Sequence, residues 1–114
     1  AFFFFFFQED EHWNLLKNNC KYEFRNFPYE FHNGGSWSMV NGFVGLAMLS
    51  QNQTENAAHL LEKINQANAV DDFSFYENFN TATQAPNGVA FCAWSAAATV
   101  LIHQSLHNNF KIIF

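Results

Sequence analysis

The stretch His32-Asn33-Gly34-Gly35-Ser36-Trp37 packs an imidazole, an amide, a hydroxyl and an indole around two glycines. Glycine lets the backbone turn tightly or come close to a ligand, where a side chain would interfere. Ser38 and an apolar run from Met39 to Leu49 follow directly. A polar, aromatic turn feeding a buried helix reads as the mouth of a pocket rather than a plain surface loop.

Other residues could also carry chemistry. Between Val70 and Phe91 the helical pattern stops, and this segment holds Asp71, Asp72, Glu77 and the aromatics Phe73, Phe75, Tyr76 and Phe79, with a turn at Pro86-Asn87-Gly88. A loop of this length in a small domain is unusual and often functional. On residue type alone, Glu77 reads first as a solvated loop acid, His32 as a hydrogen-bonded turn histidine, and Trp37 and Trp94 as core residues. His103 and His107 lie four apart, as helical zinc ligands do, but Gln104 stands where a metalloprotease has glutamate and a third ligand is lacking. No metal is expected. Asn52-Gln53-Thr54 matches a glycosylation sequon, and a helix-start role explains Asn52 equally well.

These groups need elements to hold them. Acids first and a lysine last suit a short helix over residues 8–19. Residues 20–31 mix aromatics with charges and meet Pro28, which fits an extended, edge-like segment. A helix is expected from Ser36, as N-cap, to about Ser50, apolar on nearly every face and therefore buried. Asn52 to Glu55 reads as a turn with a capping-box pattern. The next helix, about 54–69, carries a stripe of Ala57, Leu60, Leu61, Ile64, Ala67 and Asn68 opposite His59, Glu62, Lys63 and Gln66, and is half-exposed. A third helix, about 93–107, is again almost wholly apolar. Buried, exposed, buried is the order that an αα-toroid requires, though other all-α packings share it.

Composition limits the function classes. The 114 residues allow one small domain, 49% apolar and only 13% charged. So low a charged share implies surface meant to be covered by more chain or a partner. A net charge of −5 gives no electrostatic case for nucleic acid or an anionic membrane. No run approaches a membrane span. Cys20 and Cys92, without a CxxC pairing, read as buried or idle thiols before a disulfide. The opening Phe2 to Phe7 lacks a basic region and a cleavage site, so it reads as the edge of a fragment or a low-complexity scar, not a signal peptide. Nothing in the chain sets its location; the cytoplasm is favoured.

Three segments carry a resemblance, in order and in register. His32 to Trp37 resembles the HNGGSW motif of glycoside hydrolases built on an (α/α)6 barrel: the neutral/alkaline invertases, the amylo-α-1,6-glucosidase C-terminal domains and the mannosyl-oligosaccharide glucosidase group. Phe75-Tyr76-Glu77-Asn78-Phe79-Asn80 resembles their catalytic loop, and Phe91-Cys92-Ala93-Trp94-Ser95-Ala96-Ala97 the start of their last inner helix. The resemblance covers roughly residues 22–106. Ser38 departs from it by replacing a proline, and Asn80 by standing where the invertases have aspartate.

The resemblance implies an all-α fold, part of an (α/α)6 toroid with alternating inner and outer helices. Residues 22–107 would be a C-terminal piece of the catalytic domain, with 1–21 and 108–114 flanking it. It implies hydrolysis of an O-glycosidic bond in an α-glucoside or sucrose-like substrate, with inversion. Glu77 matches the catalytic base, which would activate water about 6.5–9.5 Å from the acid. His32, Asn33, Gly34, Gly35, Trp37 and Trp94 match positions of the sugar subsite. The family's general acid is an aspartate farther upstream, outside this chain, while Asp71 and Asp72 suit the loop start or the end of the second helix. Half a catalytic pair gives little catalysis, so the isolated chain is expected to be an inert fragment. No cofactor is implied; the partners implied are carbohydrate, and the rest of the barrel or a second copy. The alternative is a non-catalytic helical module that binds sugar or packs on a partner.

Overall fold

The computed structural model describes Leu15, Asn18, Asn19 and residues 26–107. Most of the expected helix over 8–19 lies outside the described residues, as do Cys20 and the tail. Leu15, Asn18 and Asn19 are helical, with Asn19 Nδ2 donating to Leu15 O at 2.8 Å.

The fold is all-α, with one small hairpin. The elements are α1 (Ser38–Ser50), α2 (Thr54–Asn68), a single turn α3 (Val70–Phe73), strands β1 (Asn78–Phe79) and β2 (Pro86–Asn87), and α4 (Ala93–His107). The two strands pair antiparallel, Asn78 opposite Asn87 and Phe79 opposite Pro86. Among the described residues no helix is long and apolar enough to cross a membrane.

α2 behaves as its pattern requires. Its apolar stripe buries Ala57, Leu60, Leu61 and Ile64; the last three form one cluster with Ala98 and Ile102 of α4, with Met48 and Leu106 packed alongside. α1 and α4 approach each other through small residues. A Cβ on Gly42 would lie 2.8 Å from the Ala98 Cβ, and one on Gly45 would lie 2.5 Å from Ile102 Cδ1. Such close contact excludes a larger side chain at these two positions of α1.

The expectation that α1 and α4 are buried on nearly every face is corrected. α1 buries only Ser38, Gly42, Gly45 and Leu46, and α4 only Ser95, Ala98 and Ile102. Val40, Phe43 and Val44 are exposed on α1, Phe43 by 51%, and Val100 on α4 by 57%. α2 covers one side of the α1–α4 pair, and the apolar stripes on the far side face outward. Being apolar all round does not bury a helix when, among the described residues, two other long helices pack on it.

Three boundaries also differ. α1 starts at Ser38 rather than Ser36, because both peptide groups of Ser36 are taken by Phe79: Ser36 N donates to Phe79 O (2.8 Å) and Phe79 N to Ser36 O (2.9 Å). Asn52 does not cap α2. It sits at φ +60° and ends α1 in a Schellman arrangement, with Asn52 N donating to Leu49 O and Gln53 N to Met48 O. Gln53 then precedes the first residue of α2. Finally, the described part of the expected extended segment is irregular: Pro28, Tyr29 and Phe31 are in turns and Glu30 makes isolated bridges to Asn33 and Gly34. Tyr29 N donates to Asn33 O at 2.8 Å, and Tyr29 and Phe31 both have positive φ.

Candidate functional site

The glycine turn folds back onto itself. Gly34 needs φ +99°, a conformation that side-chain-bearing residues seldom adopt. Gly35 is constrained differently: a Cβ there would lie 2.5 Å from Phe31 N and 2.9 Å from Asn78 Oδ1. The two glycines therefore serve close backbone packing. Gly35 N donates to Phe31 O (3.0 Å), and the same carbonyl accepts the Trp37 indole N–H at 3.0 Å. His32 stacks on Trp37 with ring centroids 5.2 Å apart, and Phe31 meets the indole edge-on at 6.2 Å. His32 is exposed and Trp37 half-buried. Asn33 is buried; its Nδ2 donates to Asn26 O, and its Oδ1 is buried without a partner.

β1 joins this turn to the loop of Glu77. Asn78, fully buried, accepts the Phe31 N–H on Oδ1 at 3.1 Å, while its Nδ2 has no partner. One residue on, Phe79 bridges to Ser36. Two further links close the joint: Thr81 Oγ1 donates to Gly34 O at 2.8 Å, and Asn80 Nδ2 donates to Glu30 Oε1 at 3.2 Å. His32 through Trp37 and Glu77 are thus carried on two segments locked to each other.

Glu77 is half-buried and faces its own hairpin. Its backbone N–H donates to Val89 O (3.0 Å), and its Oε2 accepts the Val89 N–H at 3.3 Å. Gly88, at φ +78°, presses against that carboxylate. Cys92 is a buried free thiol; burial first, and the Glu77 charge second, push its pKa up. Asp71 accepts the Tyr76 hydroxyl on Oδ2 at 3.0 Å, and that hydrogen bond raises the phenol's pKa.

Trp94, 44% exposed, stands in the first turn of α4 and is tied to the loop through its neighbour. Ser95 Oγ donates to Tyr76 O at 2.9 Å, and Cys92 N donates to Phe75 O at 3.0 Å. Phe31, Phe75 and Phe91 all sit in the left-handed region, and each such residue costs about 1–3 kcal/mol, which the surrounding contacts must offset. Strain of this kind gathers where backbone is held for a purpose.

Two residues escaped the sequence reading. Asn78 lies beside Glu77 and holds the two segments together. Asn68, fully buried, links all three long helices: its Oδ1 accepts Ser38 Oγ–H at 3.0 Å, and its Nδ2 donates to Ser95 O at 3.0 Å. An amide on the apolar stripe of α2 was the available sign of it. A groove of about 570 Å³ runs between α1, α2 and the hairpin, lined by Ser36, Asn41, Lys63, Gln66, Phe79 and Thr81 among others. None of Glu77, His32, Asn33, Trp37 or Trp94 lines it. Among the described residues no three metal-ligating side chains come together.

Over 99 residues the chain is 24% identical to neutral/alkaline invertase 3, chloroplastic, of Oryza sativa subsp. japonica. The match covers 86% of this chain and 16% of that invertase's length. No family model matches the chain, and no solved structure does. The likeness supports a glycosidase-like relationship and nothing narrower.

Proposed function

We propose that this chain is one wall of the catalytic site of a glycoside hydrolase acting on an α-glucoside or sucrose-like carbohydrate. Glu77 is the base that activates water against the anomeric carbon. His32, Asn33, Gly34, Gly35, Trp37 and Trp94 form the adjoining sugar subsite, where aromatic faces pack on the ring and polar groups meet its hydroxyls. The observation that carries this reading is the double lock of Phe31–Asn78 and Ser36–Phe79, which keeps Glu77 in a fixed relation to the glycine turn. The helices belong to an (α/α)6 toroid, and the outward apolar stripes of α1 and α4 are where further chain packs.

The proposal also requires that the isolated chain be inert. Base and acid act on opposite sides of one bond. One acid of the same loop, Asp71, is engaged by Tyr76. Purified chain is expected to show no turnover of sucrose or maltose. Robust turnover, abolished in Glu77→Gln, would overturn the fragment reading.

A second reading draws on the same engagement of acids: a helical module that binds sugar without cleaving it, or only packs on a partner. Tryptophan fluorescence separates the cases. Quenching by glucose or maltose that is lost in Trp37→Ala supports a retained subsite. No response to either sugar leaves the packing role.

A further inference from the structure

α4 ends in two exposed histidines on successive turns, His103 and His107. Residues four apart share one helix face. Here the two rings lie against each other, with centroids 4.5 Å apart and planes tilted by 52°. Two nitrogens bound to one zinc-sized ion, at about 2.0–2.1 Å each, stand roughly 3–3.5 Å from one another. Rings this close reach that spacing by rotating about their own side-chain bonds, with no movement of the helix.

The surroundings favour a cation. Within Ala93–His107 there is no Lys, Arg, Asp or Glu, so no fixed positive charge on the described helix opposes an ion there. The chain as a whole is at −5. Imidazole is a ligand for zinc, nickel and copper, whereas magnesium and calcium take oxygen.

We infer that His103 and His107 form a two-point chelate for a divalent transition-metal ion of the zinc, nickel or copper class. Two protein ligands leave the remaining positions to water or to a donor from another molecule, and they fall short of the three protein ligands that a catalytic zinc centre uses. It is independent of the sugar reading and of Glu77.

The test is calorimetric titration of the 114-residue chain, free of any histidine tag, with nickel chloride and zinc chloride. One equivalent should bind, unaffected by excess magnesium. Affinity should fall by roughly tenfold or more in both His103→Gln and His107→Gln, because each leaves a single imidazole in place of a chelate. Both rings are exposed, and far-UV circular dichroism verifies that each variant keeps its helices. The melting temperature of the parent chain should rise with zinc concentration, and that rise should vanish in either variant. Copper bound to the parent should show two nitrogen couplings by electron paramagnetic resonance. Absence of saturable binding would overturn the assignment; so would undiminished affinity in both variants, which would place the metal elsewhere, on His12, His32, His59 or the terminal amine.

Discussion

Glu77 and Val89 hold each other twice, Glu77 N–H to Val89 O at 3.0 Å and Val89 N–H to Glu77 Oε2 at 3.3 Å. Gly88, the bend between β2 and Val89, sits at φ +78° with no room for a Cβ beside the carboxylate. Gly88→Ala must therefore both strain the backbone and displace the acid. We expect a loss of about 1–3 kcal/mol in urea unfolding. Glu77→Gln, which keeps an oxygen for the Val89 amide, should lose less than about 1 kcal/mol. Equal stability of Gly88→Ala and the parent would show that the hairpin does not clamp Glu77.

Asn68 is the polar centre of the helix packing. Its removal in Asn68→Ala strips the partner from the buried Ser38 hydroxyl and takes a second donor from the Ser95 carbonyl, which keeps its helical hydrogen bond. Leaving one buried group unpaired costs about 1–3 kcal/mol, so a loss of about that size is expected. A double-mutant cycle with Ser38→Ala should return a coupling of roughly 0.5–3 kcal/mol, as for residues in direct contact. Additive effects would place Asn68 outside the network.

Ser38 and Asn68 also show where a sequence stops being informative. The stripe of α2 is legible because its period alone selects the buried residues, and Ala57, Leu60, Leu61 and Ile64 are buried as expected. The faces of α1 and α4 are not legible, since a helix apolar all round offers no contrast and packing partners decide which side is covered. Phe43 outward and Gly42 inward could not be told apart by hydrophobicity. The meeting of the glycine turn with the Glu77 loop depends on Asn78 and Phe79, which contact residues 47 and 43 positions away. Local pattern carries no term for such pairs. Likewise Ser36 has the side chain of a helix cap, but its peptide groups are claimed by Phe79, so tertiary pairing overrides the local preference.

The crossing of α1 and α4 rests on Gly45 and Ile102. A methyl on Gly45 would come 2.5 Å from Ile102 Cδ1, and Ile102 is completely buried. Gly45→Ala gains about 1 kcal/mol of helix propensity, while overpacking costs about 1–3 kcal/mol; a net loss is expected. Shortening the opposing side chain with Ile102→Val should recover part of it, so the double variant should be more stable than the sum of the single changes. By contrast, Phe43→Ser on the outward face should change stability by no more than about 0.5 kcal/mol. Chemical denaturation of all four variants decides the matter.

Cys92 supplies the pH dependence. Burial and the neighbouring Glu77 push its folded-state pKa above the ordinary 9.0. Above pH 9 the unfolded chain therefore surrenders this proton while the folded chain retains it. With more protons bound to the folded state, stability falls as pH rises, and it is fully present below that range. The Tyr76 phenol, held up by its hydrogen bond to Asp71, adds a slope of the same sign above pH 10.0. Urea midpoints should decrease from pH 8 to pH 11, less steeply in Cys92→Ala, where the thiol component is gone and the tyrosine component, above pH 10.0, survives. Iodoacetamide labelling, followed peptide by peptide, should be slow at Cys92 in the folded chain. It should accelerate in Glu77→Gln, because that change removes the negative charge opposing the thiolate. Labelling that is indifferent to residue 77 would mean that the Glu77 charge does not act on the thiol.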